Sequence, residues 1–205
     1  MTDKKKNPDI YYTVHDEKRA EIKIKASRFI AAAAPADSKE KALDFLESIR
    51  KEFYDANHNC FAYVIGKDGN EFRAADDGEP SGSAGKPILF TINKFDLKDI
   101  IVVVTRYFGG TKLGVGGLVR AYSDAAEEAL KLCRKKPVLN TVPVEIQCAY
   151  EELSAVKRLL DAHAVAFEED YTDKVKFTAH IHASEAENFA KSIISNTFGR
   201  ASVNL

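Results

Sequence analysis

The residue types able to do chemistry gather in one stretch, 102–122, which reads VVVTRYFGGTKLGVGGLVRAY. Arg106, Lys112 and Arg120 stand among Gly109, Gly110, Gly114, Gly116 and Gly117, with Tyr107 beside the first cation. Glycines this dense let a backbone adopt positive φ and approach another group closely. A helix that follows such a loop offers its first-turn N–H groups to an anion. Cations, glycines and a helix start together point to a phosphate or another anion. Neither standard nucleotide motif is present. A Walker loop needs Lys directly after its last glycine, whereas Lys112 lies between the glycine pairs. A dinucleotide fingerprint begun at Gly114 and Gly116 meets Val119 where the third glycine belongs. The competing reading is structural, a tight turn that lets strand and helix pack closely.

A second unusual segment, 76–87, places Asp76, Asp77, Glu79, Ser81, Ser83 and Lys86 among three glycines and two prolines. Clustered carboxylates suit hard cations, but no further ligand set accompanies them and no metal site is assigned. Ser81 or Ser83 could be combined with His58 and Asp77 for nucleophilic catalysis, yet nothing resembles a nucleophile elbow. His58 and Cys60, with Asn59 between them, enter a strand at a spacing that faces one side. Two ligands under-coordinate a metal, and a hydrogen-bonded histidine anchoring the neighbouring loop fits the pattern better.

The elements that must position these groups follow from periodicity. Residues 100–104 are an unbroken β-branched run, expected of a strand covered on both faces. Leu118, Tyr122, Ala125, Ala126 and Ala129 recur at helical spacing behind the glycine loop. Upstream, 21–25 alternates as a strand and 28–34 returns before Pro35. Ser38 fits the N-cap of an amphipathic helix over 38–54. A strand follows His58, a turn at 67–70 leads to its partner over 71–75, and a short helix starts at Ile88. Residues 1–17, with the run Lys4 to Lys6, read as a flexible segment ahead of a first domain over 18–136. Beyond Pro137 the pattern is strand 142–150, helix 153–163, strands 164–170 and 175–181, helix 186–194 and a short last strand. That βαββα(β) order predicts a ferredoxin-like second domain over 137–205 and an α+β chain. Lys174, Lys176, Thr178, His180 and His182 share one strand face, but without exposed aromatics to stack bases it reads as a solvated face.

With 45% hydrophobic residues, the 205-residue chain can bury a real core. Thirty basic against 31 acidic residues exclude a polycation, so any nucleic-acid surface must be local. Residues 86–136 carry ten basic and five acidic side chains, and residues from 141 onward carry six and ten. Anionic partners are therefore expected at the first domain. Cys60, Cys133 and Cys148 show no CxxC spacing, which argues against a disulfide framework or zinc site. No run approaches the length of a membrane helix, no signal-peptide core opens the sequence, and a cytoplasmic location is expected.

The segments HNCFAY, DDGEPSGSAGKPIL and VVVTRYFGGTKLGVGGLVRAY, in this order and spacing, resemble the signature of the Impact family, known in bacteria as the YigZ-type proteins. The resemblance implies a first domain with the fold of the second domain of small-subunit ribosomal protein five. It implies a second domain similar to the last domain of elongation factor G. It also implies kinship with eukaryotic proteins that restrain a translation-control kinase by competing for its activator, and it carries no catalytic residue set. The expected function is that of a non-enzymatic, translation-associated regulator that binds the ribosome, structured RNA or a translation factor. Arg106, Tyr107, Gly109, Gly110, Lys112, Gly114, Gly116, Gly117 and Arg120 are its expected contacts. His58, Asn59, Asp76, Asp77, Glu79, Ser81, Ser83 and Lys86 are expected to form the adjoining loop or pocket. The alternative is an enzyme or sensor for a small phosphorylated ligand, with a divalent ion between Asp76, Asp77 and the phosphate. No other cofactor and no membrane partner are expected.

Overall fold

The computed structural model describes residues 7–205, and these divide into two compact units, 11–138 and 139–205 together with 7–10. The Lys4 to Lys6 run lies outside the described residues. The first unit runs, with Ile10 and Leu139 at its borders counted to the second, through β1 (Ile10–Val14), β2 (Lys18–Ile24), β3 (Ser27–Pro35), α1 (Lys39–Glu52), β4 (His58–Ile65), β5 (Glu71–Ala75), α2 (Gly85–Lys94), β6 (Ile100–Tyr107), α3 (Val115–Leu132) and β7 (Lys135–Leu139). Five of its strands form an antiparallel sheet in the order β2-β3-β6-β4-β5.

The central strand β6 explains its own composition. Ile100, Val102 and Val104 belong to the core made with Ile88 and Ile92 of α2 and Leu118 and Tyr122 of α3. Ile101 and Val103 face the other way, against Ala42, Leu46 and Ile49 of α1. A strand with helices on both faces has no use for a polar side, hence the unbroken apolar run. Ser38 caps α1, its side chain accepting from the Lys41 N–H at 3.3 Å, and the helix ends at Glu52, two residues short of the expected end. Residues 10–14, expected to belong to a flexible segment, instead form β1 beside β7. Val14 is fully buried and Thr13 donates its hydroxyl to the Asp99 carbonyl at 2.7 Å, so burial and a hydrogen bond order this strand.

For function, the decisive feature of this sheet is register. Arg106 near the end of β6 stands opposite Phe29 on β3 and His58 on β4. The loop 108–114 then leads directly into α3.

The second unit runs β8 (Thr141–Cys148), a 3₁₀ turn at Tyr150–Glu152, α4 (Leu153–His163), β9 (Ala164–Tyr171), β10 (Val175–His182), α5 (Ala186–Asn196) and β11 (Ser202–Asn204). Its antiparallel sheet has the order β11-β8-β10-β9, the ferredoxin-like arrangement. The first strand ends at Cys148, and Tyr150, expected to continue it, opens the 3₁₀ turn. Val156, Leu160, Phe189 and Ile193 from the helices share a core with Val144, Ile146 and Phe177 of the sheet. On the opposite face Lys176 stands between Gln147 and Asp170, and Thr178 between Glu145 and Glu168. The neighbouring strands therefore set carboxylates beside the cations of this face, a poor track for phosphates. No helix among the described residues is long and apolar enough to cross a membrane.

Candidate functional site

The acidic segment 76–87 is wrapped around its own first carboxylate. Asp76 Oδ1 accepts from the N–H groups of Ala84 (3.0 Å) and Gly85 (2.8 Å), and Oδ2 accepts from Gly82 (2.8 Å). Burial alone would raise this carboxyl, but those donors outweigh it and hold the group below the usual carboxylate value. Gly85 is required where it stands, because a Cβ would meet the Ala75 backbone nitrogen at 2.5 Å. Asp77 accepts from the Asn59 N–H at 2.7 Å and pairs with Arg50 at 3.1 Å. His58 Nδ1 lies 2.8 Å from the Asp77 carbonyl, and the Cys60 thiol donates to the Asp76 carbonyl at 2.9 Å. His58 and Cys60 thus pin the acidic loop to β4. Burial pushes the Cys60 thiol up to about 12, so it is a structural anchor and not a nucleophile. The ion expected between Asp76 and Asp77 would have to compete with the three N–H groups that Asp76 already accepts and with the Asn59 and Arg50 partners of Asp77. Among the described residues no three His, Cys, Asp or Glu side chains form a metal-holding group.

The third carboxylate leads to the glycine loop. Glu79 Oε1 accepts from Arg106 Nη1 at 2.6 Å and from the Tyr122 hydroxyl at 2.8 Å. Side chains of both ion-pair partners are about 5% exposed or less. Arg106 also reaches Ser27 Oγ at 3.3 Å, and its guanidinium is sandwiched between the rings of Phe29 (5.3 Å) and Phe108 (5.4 Å). Its Nε is buried without a hydrogen-bond partner. Arg106, expected from the sequence as a surface contact for an anion, is therefore a core residue that ties β6 to β3, to the acidic loop and, through Glu79, to α3. Tyr107, on the other side of the strand, donates to Asp55 at 2.7 Å and lies away from this cluster. Burial, followed by the nearby Cys60 and Glu79, lifts the Tyr122 hydroxyl well above its ordinary value, so it remains a donor.

Two glycines have distinct tasks here. A Cβ on Gly109 would fall inside the Ala26–Ser27 backbone, so only glycine lets the loop cross there. Gly114 has φ of 74° and serves as the N-cap of α3 with no side-chain cap. The first turn of α3 holds no acidic residue, and Gly116 and Gly117 keep its backbone uncovered. Lys112 and Arg120 are both exposed. Between this helix start and the acidic loop lies a pocket of about 350 Å³. Pro80, Phe108, Leu113, Val115 and Leu118 form its apolar walls, while Glu79, Arg106 and Lys112 supply polar groups. Ser81 and Lys86 are exposed on the acidic loop and the start of α2, whereas Ser83 is fully buried. Asn59 is buried as well, accepting from the Thr105 hydroxyl at 2.7 Å.

Residues 25–130 match the model of the Impact N-terminal domain, and residues 146–200 match a domain of unknown function, DUF1949. The chain is 36% identical over 202 residues to the Impact family member YvyE of Bacillus subtilis, covering 94% of this chain and 89% of the relative. The chain belongs to the Impact family. It is similar to the family member YigZ of Escherichia coli, with 36% identity over 185 residues and coverage of 89% and 90%. A crystal structure described as that of a hypothetical protein superposes with a TM-score of 0.70 at 32% identity, covering 95% of this chain and 96% of the other. The Impact N-terminal match spans both the acidic loop and the glycine loop, so the pocket lies wholly within the family's first domain.

Sequence reasoning did not find Tyr122, Ser27, Phe29 or the apolar walls of the pocket. Tyr122 carried one usable signal, since a tyrosine on the apolar face of a helix must place its hydroxyl on a buried partner. Ser27 and Phe29 had none, because only the pairing of β3 with β6 brings them to Arg106.

Proposed function

We propose that this Impact-family chain is a non-enzymatic protein of the translation machinery that meets RNA phosphates of the ribosome at the glycine loop of its first unit. The observation that carries this reading is the uncapped start of α3 at Gly114, flanked by exposed Lys112 and Arg120 and free of acidic residues in its first turn. An open helix N-terminus presents backbone donors and a partial positive charge, the requirements of a phosphate site. Phe108, 45% exposed, adds an aromatic surface beside the cations, as single-stranded RNA sites do. The neighbouring carboxylates oppose this little, because Asp76 is wrapped in N–H donors and Glu79 is paired with Arg106. The kinship with eukaryotic translation-control proteins that the family resemblance implies is the reason for choosing the ribosome.

The test is co-sedimentation with ribosomes and separated subunits at low and physiological salt, using the Lys112→Ala/Arg120→Ala variant. Arg106 is left intact because its loss would unfold the site. Association is expected to weaken with salt in the wild type. In the variant the slope of log affinity against log salt falls by about 1 to 2, one unit per phosphate contact removed. Undiminished binding with an unchanged salt slope rules out this surface.

A further inference from the structure

The pocket between the two loops is more specific than a phosphate track requires. Its walls are apolar, its volume of about 350 Å³ falls in the range of small-molecule sites, and it opens beside the α3 N-terminus. A phosphate needs only the helix start and Lys112. Pro80, Phe108, Leu113, Val115 and Leu118 have nothing to offer a phosphate, and with Phe108 among them they offer an apolar surface on which a flat ring can lie. On the inner side, Glu79 and Arg106 place a carboxylate acceptor beside guanidinium donors. Arg106 lines the pocket although it is only 5% exposed, held in place by Glu79 and Ser27. The three parts of the site thus call for three parts of a ligand. One is a flat ring to lie against Phe108, another a polar ring edge bearing both donor and acceptor atoms, and the third an anionic group one short linker away.

We infer that this pocket takes a single nucleoside 5′-phosphate unit, with the base on the apolar surface, its edge toward Glu79 and Arg106, and its phosphate at the start of α3 beside Lys112. The inference rests on the RNA reading above and deepens it, because an unpaired nucleotide extruded from RNA carries the same chemistry as a free mononucleotide. Recognition through base edge and stacking is how proteins hold flipped or single-stranded nucleotides.

The experiment is titration calorimetry on the full chain with each of the four nucleoside 5′-monophosphates, ribose 5-phosphate and inorganic phosphate. A parallel arm uses a short single-stranded RNA with and without its 5′ phosphate. Wild-type protein and two variants are compared. Val115→Trp fills the pocket from an exposed position and Lys112→Ala removes the cation at its edge, and neither touches the core. At least one mononucleotide is expected to bind about tenfold or more tightly than ribose 5-phosphate, the margin a stacked base contributes. Val115→Trp is expected to abolish that margin with the thermal midpoint unchanged, and Lys112→Ala to weaken the mononucleotide and the 5′-phosphorylated RNA alike. Tighter binding of the RNA than of any mononucleotide identifies an RNA residue as the occupant, and the reverse identifies the free nucleotide. Equal binding of ribose 5-phosphate and mononucleotides overturns the inference, as does undiminished binding by Val115→Trp or no saturable binding in either arm. Ribosome co-sedimentation that survives Val115→Trp while no nucleotide binds refutes the pocket alone. Nucleotide binding without ribosome association refutes the translation reading and leaves the pocket standing.

Discussion

The buried pair of Glu79 and Arg106 makes a quantitative prediction. Glu79→Ala removes the oxygen that accepts from Arg106 at 2.6 Å and from Tyr122 at 2.8 Å. Both side chains of the ion pair are about 5% exposed or less, so solvent does not rescue the guanidinium left behind. Breaking one partner of a buried pair costs roughly 3–5 kcal/mol, and an orphaned Tyr122 hydroxyl would by itself cost roughly 1–3 kcal/mol. The two losses share one oxygen and overlap, so a total of roughly 3–5 kcal/mol is expected. Since native domains are stable by only about 5–15 kcal/mol, the first unit approaches its unfolding threshold. Removing the charge along with its partner tests the cause. Glu79→Ala/Arg106→Met is expected to be no less stable than Glu79→Ala alone, because no unpaired charge remains. The assay is urea unfolding followed by far-UV circular dichroism, the chain having no tryptophan to report fluorescence. Hydrogen exchange at the β6 amides assigns the loss to the first unit. A cost below about 1 kcal/mol for Glu79→Ala, the range of a solvated surface pair, would refute the view that this pair is a dry structural tie.

Two further outcomes separate structural from open positions in the loops. Gly109→Ala is expected to destabilise by roughly 1–3 kcal/mol or more, because the added Cβ meets the backbone of Ala26 and Ser27. Gly116→Ala, where a Cβ meets nothing within 4 Å inside α3, is expected to stabilise by roughly 0.5–1 kcal/mol. Equal thermal midpoints for the two variants would contradict this account. The depressed carboxyl of Asp76 adds stability that is complete above the ordinary aspartate value of 3.8. That stability is lost as pH falls through the lower folded value. Asp76→Asn is therefore expected to narrow its stability gap to the wild type as pH falls below about 4, read by urea midpoints across pH. A gap independent of pH would mean that the carboxylate charge contributes nothing.

Much of the architecture was legible because local rules and global packing agree. The apolar run at 100–104, the capped helix after Ser38, the alternation along Val142 to Cys148 and the βαββα(β) order all reappear as elements of the structure. Ile10–Val14 did not, since a short edge strand is ordered by its distant partner β7 and by Asp99 rather than by its own pattern. In the candidate site, the sequence located both loops and suggested that they meet. It misjudged Arg106, because charge type announces a cation but not whether a carboxylate 27 positions away will bury it.

The sequence by itself determined which segments are strands, helices and glycine-bearing loops, because periodicity, caps and β-branching act over a few residues. It also determined the family, through long motifs whose order leaves little room for coincidence. Only the tertiary structure decided what the charged residues do. The register of β3, β6 and β4 brings Phe29, Arg106 and His58 side by side, and the packing of α3 carries Tyr122 to Glu79. Those pairings are long-range, and their energy comes from excluding water around groups far apart in the chain. No local pattern records them, so the division between a buried tie at Arg106 and an open edge at Lys112 exists only once the sheet is assembled.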